Sequence, residues 1–265
     1  LQIQLAAVYY GMADYARAAE VYKACLSGSD RRWRGDIREG YARALWRGGD
    51  EAAALAQYEN ALKEMSGEQR LFAASLLVHY LRVANGRNEI FPDSAMRYIT
   101  AYEKLSVDQR QQLPRAEHAK ASWIYYTMGL IDQSRGRTAQ AMKYLTAAST
   151  SPDDFVGGDA GYRLGVLHMQ AGEFDKAREA FEYLLFTSRS SESAVRATYD
   201  LGVCLQKLGR TDAAVERFAQ IVQRYPVSPM ARKIQAGELA RQVEQHLKTQ
   251  SQPATRHGAA TRKAR

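Results

Sequence analysis

The sequence predicts an all-α protein built from stacked helical hairpins, and three observations support this prediction. Apolar residues recur at positions i, i+3, i+4 and i+7 along most of the chain, which is the spacing of one face of an α-helix. No segment shows the sustained polar–apolar alternation of a half-buried strand. One set of large residues recurs at intervals of 36 to 47 residues. Such self-similarity is typical of a repeat protein, in which each hairpin buries its apolar face against the next.

The predicted helices come in pairs that are separated by short polar or glycine-containing turns. Pro152, Pro226 and Pro229 prevent a helix from continuing, and Ser228 is a suitable N-cap for the helix that follows the last pair. The predicted pairs are about 1–11 with 14–27, 34–47 with 50–64, 68–85 with 93–105, 114–135 with 137–149, 159–171 with 173–187, and 192–208 with 210–225. A polar final helix over about 228–248 suits a capping role.

The composition suits a folded chain and excludes several classes of protein. The chain has 265 residues, of which 46% are hydrophobic and 25% charged, so it can bury a substantial core. No stretch approaches 18 uncharged apolar residues, and the sequence therefore predicts no membrane-spanning helix. Cys25 and Cys204 are too few for a disulfide framework or a multi-cysteine metal cage.

The net charge of +8 is unevenly distributed. Half of the excess lies in residues 249–265, which carry four basic residues and no acidic one. We expect this polar tail, without aromatic residues, to be disordered. The remainder is only mildly basic, so the sequence predicts no specific nucleic-acid groove. A weak, salt-sensitive contact of the tail with an anionic surface remains an alternative.

Three segments in the second half of the chain carry the same motif. Each has a Leu-Gly or Met-Gly pair on its first helix, a glycine at the turn, and then an alanine and a large residue on its second helix. In chain order these residues are Met128, Gly129, Gly136, Ala141 and Leu145; Leu164, Gly165, Gly172, Ala177 and Phe181; and Leu201, Gly202, Gly209, Ala214 and Phe218. Three weaker, earlier copies place their large residue at Tyr22, Tyr58 and Tyr98. The small residues let two helices approach closely, and the large residue fills the space beside them.

This pattern resembles the tetratricopeptide repeat (TPR) over roughly residues 1–226. The resemblance implies a right-handed α–α superhelix, a TPR solenoid of about six helical hairpins plus a C-terminal capping helix. The approximate repeats are 1–33, 34–67, 68–112, 113–156, 157–190 and 191–227, which with the cap 228–248 form a solenoid over 1–248, followed by the tail 249–265. Leu1 corresponds to about the third position of a first helix, so we expect the natural chain to extend upstream.

The sequence contains no recognisable catalytic or cofactor motif. It has no glycine-rich phosphate loop, no dinucleotide fingerprint and no Gly-x-Ser-x-Gly elbow. None of the five histidines has a second histidine or a cysteine at metal-ligand spacing. We therefore predict that the chain is not an enzyme and that it needs no cofactor and no metal.

The resemblance also implies where a partner would bind, because the first helix of each TPR hairpin lines the concave face. In the family, positions near 2, 5, 9 and 12 of that helix point into the groove. Positions 5, 9 and 12 of the last three repeats predict a partner-binding groove, here called the tyrosine stripe, that consists of Tyr126, Leu130, Gln133, Tyr162, Val166, Met169, Tyr199, Val203 and Gln206. Tyrosine anchors with aliphatic neighbours suit an extended peptide or an amphipathic helix, although these tyrosines could also pack between neighbouring hairpins.

The leading hypothesis is therefore a non-catalytic protein-interaction scaffold. Ala7 and Arg43 occupy places where family members that hold a chaperone's acidic tail carry asparagine, so that activity is not expected. The alternative is an internal structural segment of a longer TPR solenoid or assembly subunit whose activity lies elsewhere. The junction from Arg224 to Ala231 resembles that of bacterial envelope repeat proteins, which favours the periplasm or cell envelope over the cytoplasm.

Overall fold

The computed structural model describes residues 2–188 and 191–251, and most of these residues are helical. The helices are α1 (Gln2–Gly11), α2 (Tyr15–Ser27), α3 (Arg31–Arg47), α4 (Glu51–Glu64), α5 (Glu68–Ala84), α6 (Asp93–Lys104), α7 (Val107–Gln111), α8 (Arg115–Ser134), α9 (Thr138–Ser149), α10 (Asp154–Gln170), α11 (Phe174–Thr187), α12 (Ser191–Lys207), α13 (Thr211–Arg224), α14 (Pro229–Gln235) and α15 (Ala240–Ser251). No β-strand occurs within the described ranges. The predicted all-α class is confirmed.

Twelve of these helices form the six predicted pairs, α1/α2, α3/α4, α5/α6, α8/α9, α10/α11 and α12/α13. In five of the pairs the two helices pack against each other directly, and the second helix of most pairs also packs against the first helix of the next pair. Each hairpin therefore covers the apolar face that its neighbour leaves open, as stacking in a helical repeat array requires.

The glycines of the repeat motif lie where the two helices of a hairpin meet. A β-carbon added to Gly202 would come within 2.4 Å of the Phe218 ring, and one added to Gly129 within 2.9 Å of Leu145 Cγ. Real β-carbon contacts are longer, so a larger residue would push the helices apart. Gly172 is different, because it has a φ of +75° in the turn between α10 and α11, where glycine avoids a steric cost.

The third pair is less regular than the other pairs. Helix α5 packs against α4 and α8, while α6 packs against α8 rather than closely along α5. The additional short helix α7 was not predicted. It begins at a capping box in which Gln109 N donates to Ser106 Oγ and Ser106 N donates to Gln109 Oε1.

The prediction of one capping helix over 228–248 is wrong, because the chain turns at 236–239 and forms two helices, α14 and α15. The break returns α15 to α13, where Val243 is buried in the apolar core. The predicted cap holds: Ser228 Oγ accepts a hydrogen bond from Ala231 N at 3.1 Å. Helix α15 extends to residue 251, into the predicted tail, and the rest of that tail lies outside the described residues.

The two ends of the repeat array meet. Helix α1 of the first hairpin packs against α12 of the sixth, although four hairpins lie between them in order along the chain. Arg17 Nη2 donates to the carbonyl of Val227 at 3.1 Å, and Arg232 forms an ion pair with Asp14 at 3.6 Å. In an open solenoid each repeat contacts only its neighbours. The array is therefore closed, because its first and last hairpins touch. In this closed arrangement the first helices of the early and late hairpins face each other across the concave side.

Candidate protein-interaction surface

The nine residues of the tyrosine stripe lie on the first helices α8, α10 and α12, as predicted. Their accessibility differs strongly. Tyr126 and Leu130 are completely or almost completely buried, with exposed fractions of 0% and 1%. The other seven are half-buried: Gln133, Tyr162, Val166, Met169, Tyr199, Val203 and Gln206. In this arrangement Tyr126 and Leu130 are interior residues that a partner cannot reach, which corrects the prediction of an open stripe at this end.

Two of the three tyrosines link one hairpin to the next. The hydroxyl of Tyr126 donates to Asp159 Oδ2 at 2.5 Å, and that of Tyr162 donates to Asp200 Oδ2 at 2.5 Å. Each accepting carboxylate lies on the first helix of the following pair, so these bonds set the spacing between neighbouring hairpins. The alternative that the tyrosines pack between hairpins therefore describes Tyr126 fully and Tyr162 in part.

Tyr199 and Tyr162 also make ring contacts. The ring of Tyr199 packs against Phe218 at 5.6 Å between centroids, and Lys233 Nζ lies 4.7 Å from the Tyr199 ring centroid. The guanidinium of Arg196 lies 3.7 Å from the centroid of the Tyr162 ring. A cation over an aromatic face is an attractive contact. Both tyrosines remain half-buried, and their binding role stays a prediction.

A buried ionic cluster lies where the early and late hairpins meet. We call it the closing cluster and define it as Arg47 of α3, Asp159 and Arg163 of α10, and Glu192 and Arg196 of α12. Asp159 contacts all three arginines, at 2.7 Å from Arg47, 2.6 Å from Arg163 and 3.3 Å from Arg196. Glu192 lies 2.7 Å from Arg196 and 3.8 Å from Arg47. The Arg47 side chain is only 3% exposed, and that of Asp159 is not exposed at all.

The charges of the closing cluster control its pKa values. Burial alone would raise the pKa of Asp159, but Arg163, Arg47 and Arg196 outweigh burial and hold it well below its usual value. Glu192 is likewise buried, and Arg47 and Arg196 lower its pKa. Both carboxylates are therefore ionised at neutral pH, which offsets part of the desolvation cost of the arginines.

Tyrosines from the first two helices complete the surroundings of the cluster. The hydroxyl of Tyr15 donates to Glu192 Oε1 at 2.5 Å. Burial raises the pKa of Tyr15 and raises the pKa of Tyr10 to about 12, so both phenols are neutral. The ring of Tyr10 packs against the ring of Tyr15, with 5.6 Å between the centroids.

Arg47 and Asp159 were not predicted as groove residues, although the sequence contains one signal for Asp159. Asp159 and Arg196 occupy the second groove position of their helices, three residues before Tyr162 and Tyr199, whereas the predicted groove consists only of residues at positions 5, 9 and 12. A charged residue at an inward position indicates either a ligand contact or an internal ion pair. In the structure Asp159 forms an internal ion pair, because Arg47, from a hairpin about 110 residues earlier in the chain, lies next to it.

The accessible part of the concave side lies further toward the N-terminus. A cavity of about 440 Å³, here called the central cavity, opens between α3, α5, α8 and the start of α10. Its aromatic wall consists of Phe72, Trp123 and Phe155, and Lys120 Nζ lies 5.4 Å from the Phe72 ring centroid. This volume is within the range of sites that hold a small ligand or a few partner side chains.

Charged groups of both signs surround the central cavity. Arg70 pairs with Glu39 at 2.6 Å, and Arg43 pairs with the same glutamate at 2.5 Å. Trp123 Nε1 donates to Asp153 Oδ2 at 3.2 Å, which holds the indole against the Phe155 ring at 5.6 Å between centroids. The cavity thus offers a rigid aromatic wall with polar groups at its rim, an arrangement common in protein interfaces.

The described part of the chain contains neither a metal-binding cluster nor a membrane-spanning helix. No group of three or more His, Cys, Asp or Glu side chains there is placed to hold a metal ion. No helix of residues 2–188 and 191–251 combines the length and the apolar character needed to cross a bilayer. Cys25 and Cys204 are buried free thiols on separate hairpins.

Residues 162–229 match the family model of the tetratricopeptide repeat. Two photosystem I assembly proteins Ycf3, from Prochlorococcus marinus strains MIT 9301 and MIT 9215, are each 25% identical to this chain over 129 residues, which is 43% of this chain and 73% of theirs. A thermophilic TPR protein from Thermus thermophilus superposes with a TM-score of 0.43 at 17% identity, over 76% of this chain and 97% of that one. The matched segment repeats the helical hairpin found along the rest of the described chain, so the chain has the fold of a tetratricopeptide-repeat solenoid, and the match to the family model itself is confined to residues 162–229.

Proposed function

We propose that this chain is a non-catalytic scaffold that binds a segment of another protein in the central cavity. The single observation that carries the proposal is the aromatic wall of Phe72, Trp123 and Phe155, which three different helices bring to one opening on the concave side. Aromatic side chains supply most of the binding energy where they line a well-formed pocket. Apolar side chains of the partner would enter the cavity, and polar groups of the partner would contact the charged rim.

The charged rim favours a partner segment of mixed polarity. Lys120 Nζ lies over the rings of Tyr98 and Phe72, and Glu117 accepts a hydrogen bond from the Tyr98 hydroxyl at 2.7 Å. Arg70 and Glu39 also line the opening. A rim that carries both positive and negative groups mainly fixes the orientation of the partner segment and excludes segments whose charges would be repelled. It adds less to the affinity.

A photocrosslinking experiment tests this proposal. A photoreactive phenylalanine analogue in place of Phe72 should capture a protein partner, whereas the same analogue in place of Tyr183, which is 55% exposed on α11, should not. Phe72→Ala should then weaken binding of the captured partner at least tenfold, while Tyr183→Ala leaves it unchanged. Capture at Tyr183 alone would place the interface on the outer side of the array instead.

An assembly role is the more specific form of this proposal. The support is the similarity of part of the chain to Ycf3, a protein named for the assembly of photosystem I. We propose only the general role, namely that the chain holds another polypeptide during assembly of a complex. A partner that leaves once the complex is complete would support this role, and a permanent stoichiometric partner would contradict it.

The alternative, a structural segment of a longer repeat array, is supported by the exposed face of α1. Ile3 and Leu5 are each 44% exposed and Val8 is 55% exposed, although all three are apolar. Exposed apolar faces commonly mark contacts with another element or chain. Light scattering across a concentration series should show self-association of the 265-residue chain if this face is an uncovered joint, and a monomer if it is not.

The cell envelope remains our proposal for the compartment. Its support is the junction from Arg224 to Ala231, whose Ser228 cap and Pro229 also serve as a general helix restart. Fractionation of bacterial cells that produce the natural full-length protein would test this proposal, and recovery in the cytoplasmic fraction alone would contradict it.

A further inference from the structure

The chain fills part of its own concave groove. Tyr15 of α2 and Arg47 of α3 contact the inner faces of α10 and α12 through the closing cluster, and the ring of Tyr10 on α1 packs against Tyr15. These inner faces carry the second and fifth groove positions of the last two hairpins, the places where the repeat family holds partner side chains. The early helices therefore occupy the position of a bound polypeptide.

Arg47 is the central element of this internal contact. Its guanidinium lies 2.7 Å from Asp159 and 4.7 Å from the ring centroid of Trp46, and it also lies 5.2 Å from the centroid of Phe155. An arginine held between two carboxylates and two aromatic faces has the contacts of a ligand in a recognition site. Most arginines on the surface of this chain instead pair within their own hairpin or between neighbouring hairpins.

The site on α10 and α12 that holds the Arg47 side chain keeps a balanced set of charges when that side chain leaves. Arg163 still pairs with Asp159 at 2.6 Å, and Arg196 still pairs with Glu192 at 2.7 Å. Neither carboxylate would then be left buried without a cation, which is the costly state for an ionised group. The site can therefore open and accept another guanidinium in place of Arg47.

We infer that Arg47 is an internal ligand that closes the groove between α10 and α12, and that a partner segment carrying an arginine next to aromatic residues can replace it. This binding surface lies between α3, α10 and α12 and shares Phe155 with the central cavity, but its partner replaces Arg47 instead of entering the cavity, so the inference goes beyond the proposed function. The opened state would expose Asp159 and Glu192 to that partner.

Hydrogen–deuterium exchange of the full chain tests the first half of the inference. Arg47→Met keeps the length of the side chain but removes the guanidinium, and it should raise exchange rates in α1 and α12 at least tenfold while α8 and α9 stay unchanged. Arg38→Met is the matched control on the same helix, because Arg38 pairs with Glu64 inside its own hairpin at 2.7 Å. Equal exchange in the wild type and Arg47→Met would overturn the inference.

A peptide that copies residues 37–49 tests the second half. Its fluorescent form should bind the Arg47→Met protein at least tenfold more tightly than the wild type, whose own Arg47 occupies the site. The same peptide with methionine at the position of Arg47 should bind at least tenfold more weakly than the arginine peptide. Equal binding of the two peptides would overturn the inference.

Two further measurements keep the outcome interpretable. If Arg47→Met loses its helical circular dichroism, Arg47→Lys replaces it, because an ammonium keeps the charge but cannot bridge two carboxylates in the same geometry. Intermediate exchange and peptide binding are then expected, and values equal to those of the wild type would overturn the inference. Phe72→Ala should leave the binding of the peptide unchanged. The peptide measurement therefore tests the Arg47 site alone, and its outcome does not depend on whether the central-cavity proposal is correct.

Discussion

The ring of Phe181 lies directly over the α-carbon of Gly165, so that a β-carbon added to Gly165 would come within 2.3 Å of Phe181 Cε1. The two residues are 16 positions apart on α10 and α11, and the same interval separates Gly202 from Phe218 and Gly129 from Leu145. This close contact is the physical reason why the Leu-Gly pair and the large residue of the motif occur together.

Gly165→Ala should therefore destabilise the protein by about 1–3 kcal/mol, because the added methyl group overpacks the interface between α10 and α11. Gly161→Ala is the matched control on the same helix, since its β-carbon would meet Leu184 Cδ1 at an ordinary 3.5 Å. That control should be neutral or stabilising by up to about 1 kcal/mol, because alanine is the better helix former. Urea unfolding followed by circular dichroism measures both changes, and equal effects would contradict the overpacking argument.

Glu192→Gln should cost about 3 kcal/mol of stability, because it leaves three arginines of the closing cluster facing a single carboxylate in a buried site. Glu182→Gln serves as the surface control, since Glu182 pairs with Arg178 on one exposed helix face. The control should change the free energy of unfolding by less than about 0.5 kcal/mol. A small effect of Glu192→Gln would show that the closing cluster contributes little to stability.

The closed arrangement should weaken in acid. The folded-state pKa values of Asp159 and Glu192 lie below those of the unfolded chain, because Arg47, Arg163 and Arg196 face them from α3, α10 and α12. Their stabilising contribution is therefore complete above the unfolded pKa values of about 4, and it is lost as the pH falls through the folded values.

Melting temperatures between pH 7 and pH 2 measure this loss, which should be smaller in Glu192→Gln because one of the two carboxylates is gone. The Tyr15 and Tyr126 hydroxyls donate to these acids and stay neutral throughout this range. Asp200 acts in the opposite direction, since burial raises its pKa and its protonation favours the folded state. Melting temperatures that do not change below pH 4 would contradict the ionic account of closure.

Tyr162→Phe should destabilise the chain by about 1–2 kcal/mol. The substitution keeps the ring contact with Phe181 but removes the hydroxyl that donates to the mostly buried carboxylate of Asp200. Tyr199→Phe is the comparison, because Tyr199 contributes chiefly through its ring contacts with Phe218 and Lys233. Thermal unfolding separates the two variants, and equal stability of both would indicate that the Tyr162–Asp200 bond contributes little.

Cys204 should not react with an aromatic disulfide reagent in the folded protein at pH 8. Its side chain is completely buried, and burial raises the pKa of the thiol to about 11, so the reactive thiolate is scarce and inaccessible. Reaction should become rapid in denaturing urea. Fast reaction of Cys204 under native conditions would show that α12 opens from α13 far more often than its buried packing indicates.

Most of the fold could be predicted because local spacing determines it. The six hairpins, the turn glycines and the Ser228 cap follow from residues that contact partners nearby in the chain. The break in the final helix was missed because it depends on Val243 returning to α13. Closure was missed because Arg47 and Asp159 are far apart in the chain, and nothing in their local sequence relates one to the other.

The meeting of α1 with α12 has a consequence for how the protein unfolds. Linear repeat arrays fray from their ends, since each unit is held by neighbours alone and terminal units have only one. Here the first and last hairpins contact each other, so opening of either one also breaks contacts with the other. Denaturation should then be a single all-or-none transition over the whole array, and breaking the Arg47 contact should convert it into stepwise melting that starts at the termini.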